Sequence, residues 1–268
     1  YVFGLDFVPM VIVMMAITVG YLALSGMLGA TKGMAVQYVI LIVAFLAGVF
    51  AVGWYHQGMI LPQIQYGAMI DELATQFSEP FVNAPFYVWV ATAFSLIFGT
   101  CGLPHVLVRF YTVQNERTAR WSTVSGLFFI MLLYWSAPAM AALGVDLFAQ
   151  VNNLSPDAVF AAADAGGMSG AEGDVIVVLA AQFANLPQWL VGFVAAGAMA
   201  AAIATTAGLF ITASSAVAHD IYTELINPDA TQRQQVLLGR ATIVGIGALV
   251  TLTALDPPAL IGEPVALA

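Results

Sequence analysis

The run WLVGFVAAGAMAAAIATTAGLFITASSAVA, from Trp189 to Ala218, carries no charged side chain. As an ideal helix it measures roughly 45 Å, against a hydrocarbon core about 30 Å thick that about 20 apolar residues suffice to cross. The segment therefore crosses a bilayer with length to spare, and it has to tilt, bend or project into water. Working outward, the same criterion finds five more stretches, so the expected spans are 5–25, 35–54, 86–101, 121–143, 189–218 and 236–255. Composition agrees: of 268 residues, 61% are hydrophobic and 8% charged, where soluble domains carry roughly 25% charged residues. The chain reads as an all-α membrane protein, one transmembrane domain over residues 1–268 with about six helices.

Charge supplies the orientation. All six basic residues fall after the first, third and fifth spans: Lys32; Arg109, Arg117 and Arg120; Arg233 and Arg240. The alternate loops, 55–85 and 144–174, hold Asp71, Glu72, Glu79, Asp146, Asp157, Asp164, Glu172 and Asp174 and no Lys or Arg. The positive-inside rule puts the basic loops in the cytoplasm and the N-terminus outside a plasma (inner) membrane that the chain crosses repeatedly. Trp54, Trp89, Trp121 and Trp189 sit near span ends, as interfacial aromatics do. The net charge of −9 and the lack of a basic cluster exclude nucleic acid as a partner. Cys101 alone cannot form an internal disulfide and reads as a small packed thiol. No expected span carries an Asp, Glu, Lys or Arg near its middle, which argues against an intramembrane proton relay.

The connecting segments have their own signals. A small interfacial helix is expected around Ile70–Phe77. Ser155 or a neighbour is placed to cap a short helix entered by Pro156, which the glycine-rich run 165–170 ends. Residues 174–184 are apolar but too short to span, and predict a surface-lying or re-entrant helix before Pro187. The chain begins at Tyr1 without a basic leader and stops just after Pro257-Pro258, so a fragment is expected. No internal repeat stands out.

Three clusters are candidates for function. On the opening helix, Thr205 and Thr206 lie beside the carbonyl of Ala202 and place three oxygens within one turn, part of a shell for a sodium ion. Alternatively each hydroxyl bonds back to its own helix. After the third span, Gly102 and Pro104 break the helix, and His105 and Arg109, four apart, share a face if a helix resumes. This is either a hinge with an interfacial anchor or a cytoplasmic gate. His219 and Asp220 read as a polar exit from the membrane, since no nucleophile accompanies them. No catalytic residue and no organic cofactor are expected.

The stretch Gly102-Leu-Pro-His-Val-Leu-Val-Arg-Phe110 resembles the signature after the sixth core helix of the sodium:solute symporter family, especially its acetate permease (cation/acetate symporter) branch. Ala200–Tyr222, with its alanine-rich run, Ser-Ser-Ala and His-Asp-Ile-Tyr ending, resembles that family's eighth core helix. Gly33-Met-Ala-Val-Gln37 agrees as well. The resemblance implies a LeuT-like five-plus-five inverted repeat of which this chain holds core helices four to nine, with sodium bound by Ala202, Thr205 and Thr206 of the eighth helix and by the absent first. It also implies secondary active symport, in which sodium moving inward drives uptake of a small organic anion with no covalent chemistry.

Proline-transporting members place aromatics four and eight residues before the position of Pro104, where this chain has Thr100 and Leu96. Proline is therefore not the expected solute; the resemblance to the acetate permease branch implies a small monocarboxylate such as acetate, with Tyr87, Ser95, Thr100, Pro104, His105 and Arg109 as pathway or gate residues. A membrane sensor or scaffold on the same fold, or a proton-coupled carrier, are the alternatives.

Overall fold

The computed structural model describes residues 7–59, 61–68, 85–111, 113–160 and 175–255, and every regular element among them is helical. The helices are α1 (Phe7–Gln57), α2 (Pro62–Ala68), α3 (Phe86–Gly102), α4 (Pro104–Tyr111), α5 (Glu116–Asn152), α6 (Ile176–Phe183), α7 (Gln188–Ser215) and α8 (Gln232–Ala254), with a 3-10 turn over Pro156–Phe160. Four of them are long and apolar enough to cross a membrane, or five if the bent pair α3–α4 is one span. The chain is an all-α, multi-pass membrane protein. The segments 70–77 and 165–170, with their expected helix and helix break, lie outside the described residues.

Helix α1 has 51 residues, roughly 75 Å of ideal helix, or more than two hydrocarbon cores laid end to end. It takes in both of the first two expected spans. The loop expected between them is absent: only Gly26, at φ 63 and ψ −168, leaves helical geometry. Those angles lie in a region that is essentially restricted to glycine, so the chain changes direction at one residue. Lys32, expected in a loop, accordingly sits on helix.

Contacts divide the chain into two compact units. The first draws its described residues from the ranges 7–40, 102–111 and 199–255. Its core is built from Leu22, Ala30 and Met34 of α1, Ala207 and Phe210 of α7, and Ile243 of α8. Thr231 starts α8 with a reciprocal capping box to Gln234, which satisfies two otherwise orphaned amide donors. Helix α7 packs closely on α8 at Gly239, whose carbonyl accepts a 2.9 Å hydrogen bond from the buried hydroxyl of Ser214. Beyond Ser215 the α geometry gives way to π-helical turns over Ala216–Ile226. There the Thr223 hydroxyl donates to the carbonyl of Ala218, five residues back, at 3.0 Å.

The second unit draws its described residues from Leu41–Cys101 and Val113–Ala198. Val49 and Val52 of α1, Met140 and Leu143 of α5, Ala180 of α6 and Val194 of α7 form its core. Helix α5 begins at Asn115, whose side chain accepts from the amide of Thr118, and ends at Asn153 in the left-handed conformation, the standard chemistry of the two helix ends. Gln63 of α2 donates to the Ser136 hydroxyl at 3.0 Å.

Here two expectations are corrected. Residues 144–152, expected to be loop, continue α5, and Gly144–Ala149 are buried. The helix can continue because the one acid in that stretch, Asp146, is paired inside the protein and does not need water. Cys101 is exposed rather than packed, because α3 has no buried residue at all. The helix cap at Ser155 forms as expected, with the amide of Ala158 donating to its hydroxyl at 3.3 Å. Helix α6 occupies the apolar segment before Pro187 and buries Leu179, Ala180 and Ala181.

Candidate functional site

The break at Gly102–Pro104 is present: α3 ends at Gly102 and α4 begins at Pro104. With helix resumed, His105 and Arg109 share a face as their spacing predicts: Arg109 Nε donates to the carbonyl oxygen of His105 at 3.3 Å. Arg109 Nη2 approaches the Met34 sulfur at 2.9 Å. The guanidinium rests against Gly208 of α7, where an added Cβ would lie 3.4 Å from Nη2.

These residues bound a cavity of about 440 Å³ between α1, α4 and α7, lined by Thr31, Met34, Tyr38, His105, Arg109 and Thr205 with the small residues Ala35, Ala204 and Gly208. Among the described residues the lining has one guanidinium and no carboxylate. The Tyr38 hydroxyl and the His105 Nδ1 are buried with no hydrogen-bond partner among the described residues. A buried polar atom left in that state is costly, and both belong to residues that line this cavity.

Thr205 and Thr206 do bond back to their own helix, donating to the carbonyls of Ala201 at 3.1 Å and Ala202 at 2.8 Å. A hydroxyl that donates its proton this way keeps its oxygen lone pairs, so bonding back and ion ligation are compatible. The Ala202 carbonyl is less available, since it already accepts from Thr206. Thr205 lines the cavity that Arg109 also lines. Gly208, on which the guanidinium rests, is about one turn along from Thr205. A cation about 6 Å from that charge is opposed by about 3 kcal/mol at an effective dielectric constant of 20.

Pro104, His105, Arg109, Ala202, Thr205 and Thr206 thus belong to one unit. Tyr87, Ser95 and Thr100 belong to the other, on α3. Tyr87 is 72% exposed, and the Thr100 hydroxyl donates to the Leu96 carbonyl at 2.7 Å. Because α3 has no buried residue, no enclosed site forms around these three among the described residues.

Sequence reasoning overlooked Tyr38 and Met34. Their signal was available: Thr31, Met34, Ala35 and Tyr38 follow the i, i+3, i+4, i+7 pattern of one helix face, with two polar groups set in it. It also overlooked a polar cluster in the second unit, where His56 Nε2 lies 2.9 Å from Asp146 Oδ2 and Gln150 Nε2 donates to the same oxygen at 3.0 Å. His56 and Gln150 open on a cavity of about 330 Å³. His219 and Asp220 pair at 3.1 Å with both side chains largely exposed, as expected of an interfacial exit.

A family model for the sodium:solute symporter family matches residues 1–267. The chain belongs to the sodium:solute symporter family. Among curated proteins it is similar to an uncharacterized symporter of Bacillus subtilis, 31% identical over 265 residues, which is 94% of this chain and 47% of that protein. It is 36% identical to a monocarboxylic acid transporter of Corynebacterium glutamicum over 192 residues, 69% of this chain and 29% of that one. An uncharacterized symporter of Cupriavidus necator is 33% identical over 192 residues, 63% of this chain and 28% of its own length. The chain thus spans less than half the length of these curated symporters. No solved structure matches it.

Proposed function

We propose that this chain is part of a secondary active transporter that couples the inward movement of sodium to uptake of a small organic anion, of the monocarboxylate class that includes acetate, without covalent chemistry. What carries the reading is the family match across residues 1–267. The similarity to a monocarboxylic acid transporter supports the solute class, and the single-guanidinium cavity suits a single negative charge. In this reading the Thr205 and Thr206 hydroxyl oxygens, with the Ala202 carbonyl, contribute part of the sodium shell. Symporters of this architecture complete such a shell with the backbone of a discontinuous helix. His105 and Arg109, hinged at Pro104, line the solute's route on the cytoplasmic side, and Tyr87, Ser95 and Thr100 are further pathway residues in this reading. The basic segments face the cytoplasm.

The test is uptake of radiolabelled acetate by the full-length protein in proteoliposomes. An inward sodium gradient should drive accumulation, and equal uptake when potassium replaces sodium would remove sodium from the scheme.

A proton-coupled carrier is the second reading, favoured by one observation: the buried His56–Asp146 pair, a titratable group of the kind proton-driven carriers use. It predicts uptake driven by a pH gradient in sodium-free medium and lost in Asp146→Asn.

A further inference from the structure

We propose that the cavity bounded by α1, α4 and α7 is a binding station for one small carboxylate, anchored on the Arg109 guanidinium and flanked by the Tyr38 hydroxyl and His105 Nδ1. The proposal rests on the organic-anion reading above and deepens it by assigning a place and a set of donors to the solute's charge.

Four observations point the same way. The cavity, at about 440 Å³, falls within the range of small-molecule sites. Its only full charge among the described residues is the guanidinium of Arg109, whose fork of donors matches a carboxylate in a bidentate pair. Within the lining, Arg109 Nη2 meets the Met34 thioether at 2.9 Å. A thioether is a weak acceptor, one that a carboxylate oxygen displaces readily. Finally, the two buried polar atoms without partners, Tyr38 Oη and His105 Nδ1, belong to residues that line this space. Tyrosine supplies an O–H donor, and Nδ1 donates in the tautomer that carries its proton there.

The remaining polar lining does not compete for the anion's place. The Thr31 and Thr205 hydroxyls donate to the carbonyls of Met27 and Ala201 and present oxygen lone pairs, which repel a carboxylate and leave it to the guanidinium. Among the described lining residues Arg109 is the one full cation and His105 the other basic group, so a dicarboxylate's second charge meets no guanidinium or ammonium. The station is therefore selective for monoanions.

The experiment measures radiolabelled acetate binding to the detergent-purified full-length protein, beside sodium-driven uptake in proteoliposomes. Tyr38→Phe keeps the ring and removes only the hydroxyl, so its fold is preserved and it should weaken acetate binding about tenfold. Arg109→Lys keeps the charge and loses the fork, with a comparable or larger loss. Acetamide, the neutral isostere, should not compete, and succinate should compete poorly.

Unchanged acetate affinity in both variants overturns the station while leaving the symport reading intact, provided wild-type uptake remains sodium-driven. Competition by inorganic phosphate as strong as that by acetate overturns the carboxylate assignment in favour of a general phosphate or headgroup site. Absence of sodium-driven acetate uptake in the wild type, with acetate binding still sensitive to Tyr38→Phe, overturns the symport reading and leaves the station standing.

Discussion

His56 on α1 and Asp146 on α5 meet with Nε2 2.9 Å from Oδ2, ninety positions apart in sequence and each with only 11% of its side chain exposed. Gln150, one turn beyond Asp146, donates to the same carboxylate oxygen. Replacing Asp146 with Leu leaves His56 Nε2 and Gln150 Nε2 without their acceptor, which costs about 1–3 kcal/mol for a buried group. The expected result is a lower thermal unfolding temperature in detergent, with Asp146→Asn, which keeps one acceptor oxygen, falling between Asp146→Leu and wild type. An unchanged unfolding temperature in Asp146→Leu would contradict a structural role for the pair.

Gly26 tests conformation apart from space. A Cβ added there meets nothing within 4 Å, yet its φ of 63 lies where side chains are strained. Gly26→Ala should cost about 1–3 kcal/mol. Gly20 is the control, since it also has nothing within 4 Å of an added Cβ but sits in regular helix, so Gly20→Ala should be neutral or stabilising by up to about 1 kcal/mol. Thermal unfolding of the two variants side by side decides it, and equal effects would refute the argument.

Gly144 tests space apart from conformation. An added Cβ would stand 2.8 Å from Ile176 Cγ1 and 3.4 Å from Ala180 Cβ, so Gly144→Ala overpacks the contact between α5 and α6 and should cost about 1–3 kcal/mol. Ile176→Ala removes the clashing atom. The double variant should therefore be more stable than the sum of the two single losses predicts, a non-additivity that a double-mutant cycle reads directly.

For the proposed cation site, Thr205→Ala and Thr206→Ala should each raise the sodium concentration needed for half-maximal uptake. Arg109 shares a cavity with Thr205 and opposes a cation there. Sodium binding measured without solute should therefore tighten by up to about a hundredfold in Arg109→Gln if Thr205 is a ligand. A sodium dependence indifferent to all three changes would return both hydroxyls to helix packing.

Much of this protein was legible along the chain. Apolar runs of spanning length, the helix break at Gly102–Pro104, the shared face of His105 and Arg109 and the cap at Ser155 all depend on neighbours within a few residues. Local geometry decides such features. The errors share one origin as well. Residues 144–152 read as loop because Asp146 is charged, and a charge needs water unless something distant satisfies it, which His56 does. Residues 26–34 read as a loop because a glycine and a lysine interrupt apolar sequence, whereas one glycine dihedral accommodates the whole turn.

The sequence by itself determined that this is a multi-pass helical membrane protein and carried the motifs of its family, because span length and local signature residues need no partner to be recognised. Only the tertiary structure decided which polar groups face one another. Tyr38 joins His105, Arg109 and Thr205 around one cavity, and Asp146 is buried against His56. The physical reason is that a side chain's cost or use inside a protein depends on the atoms it meets, and those come from helices that are distant in sequence.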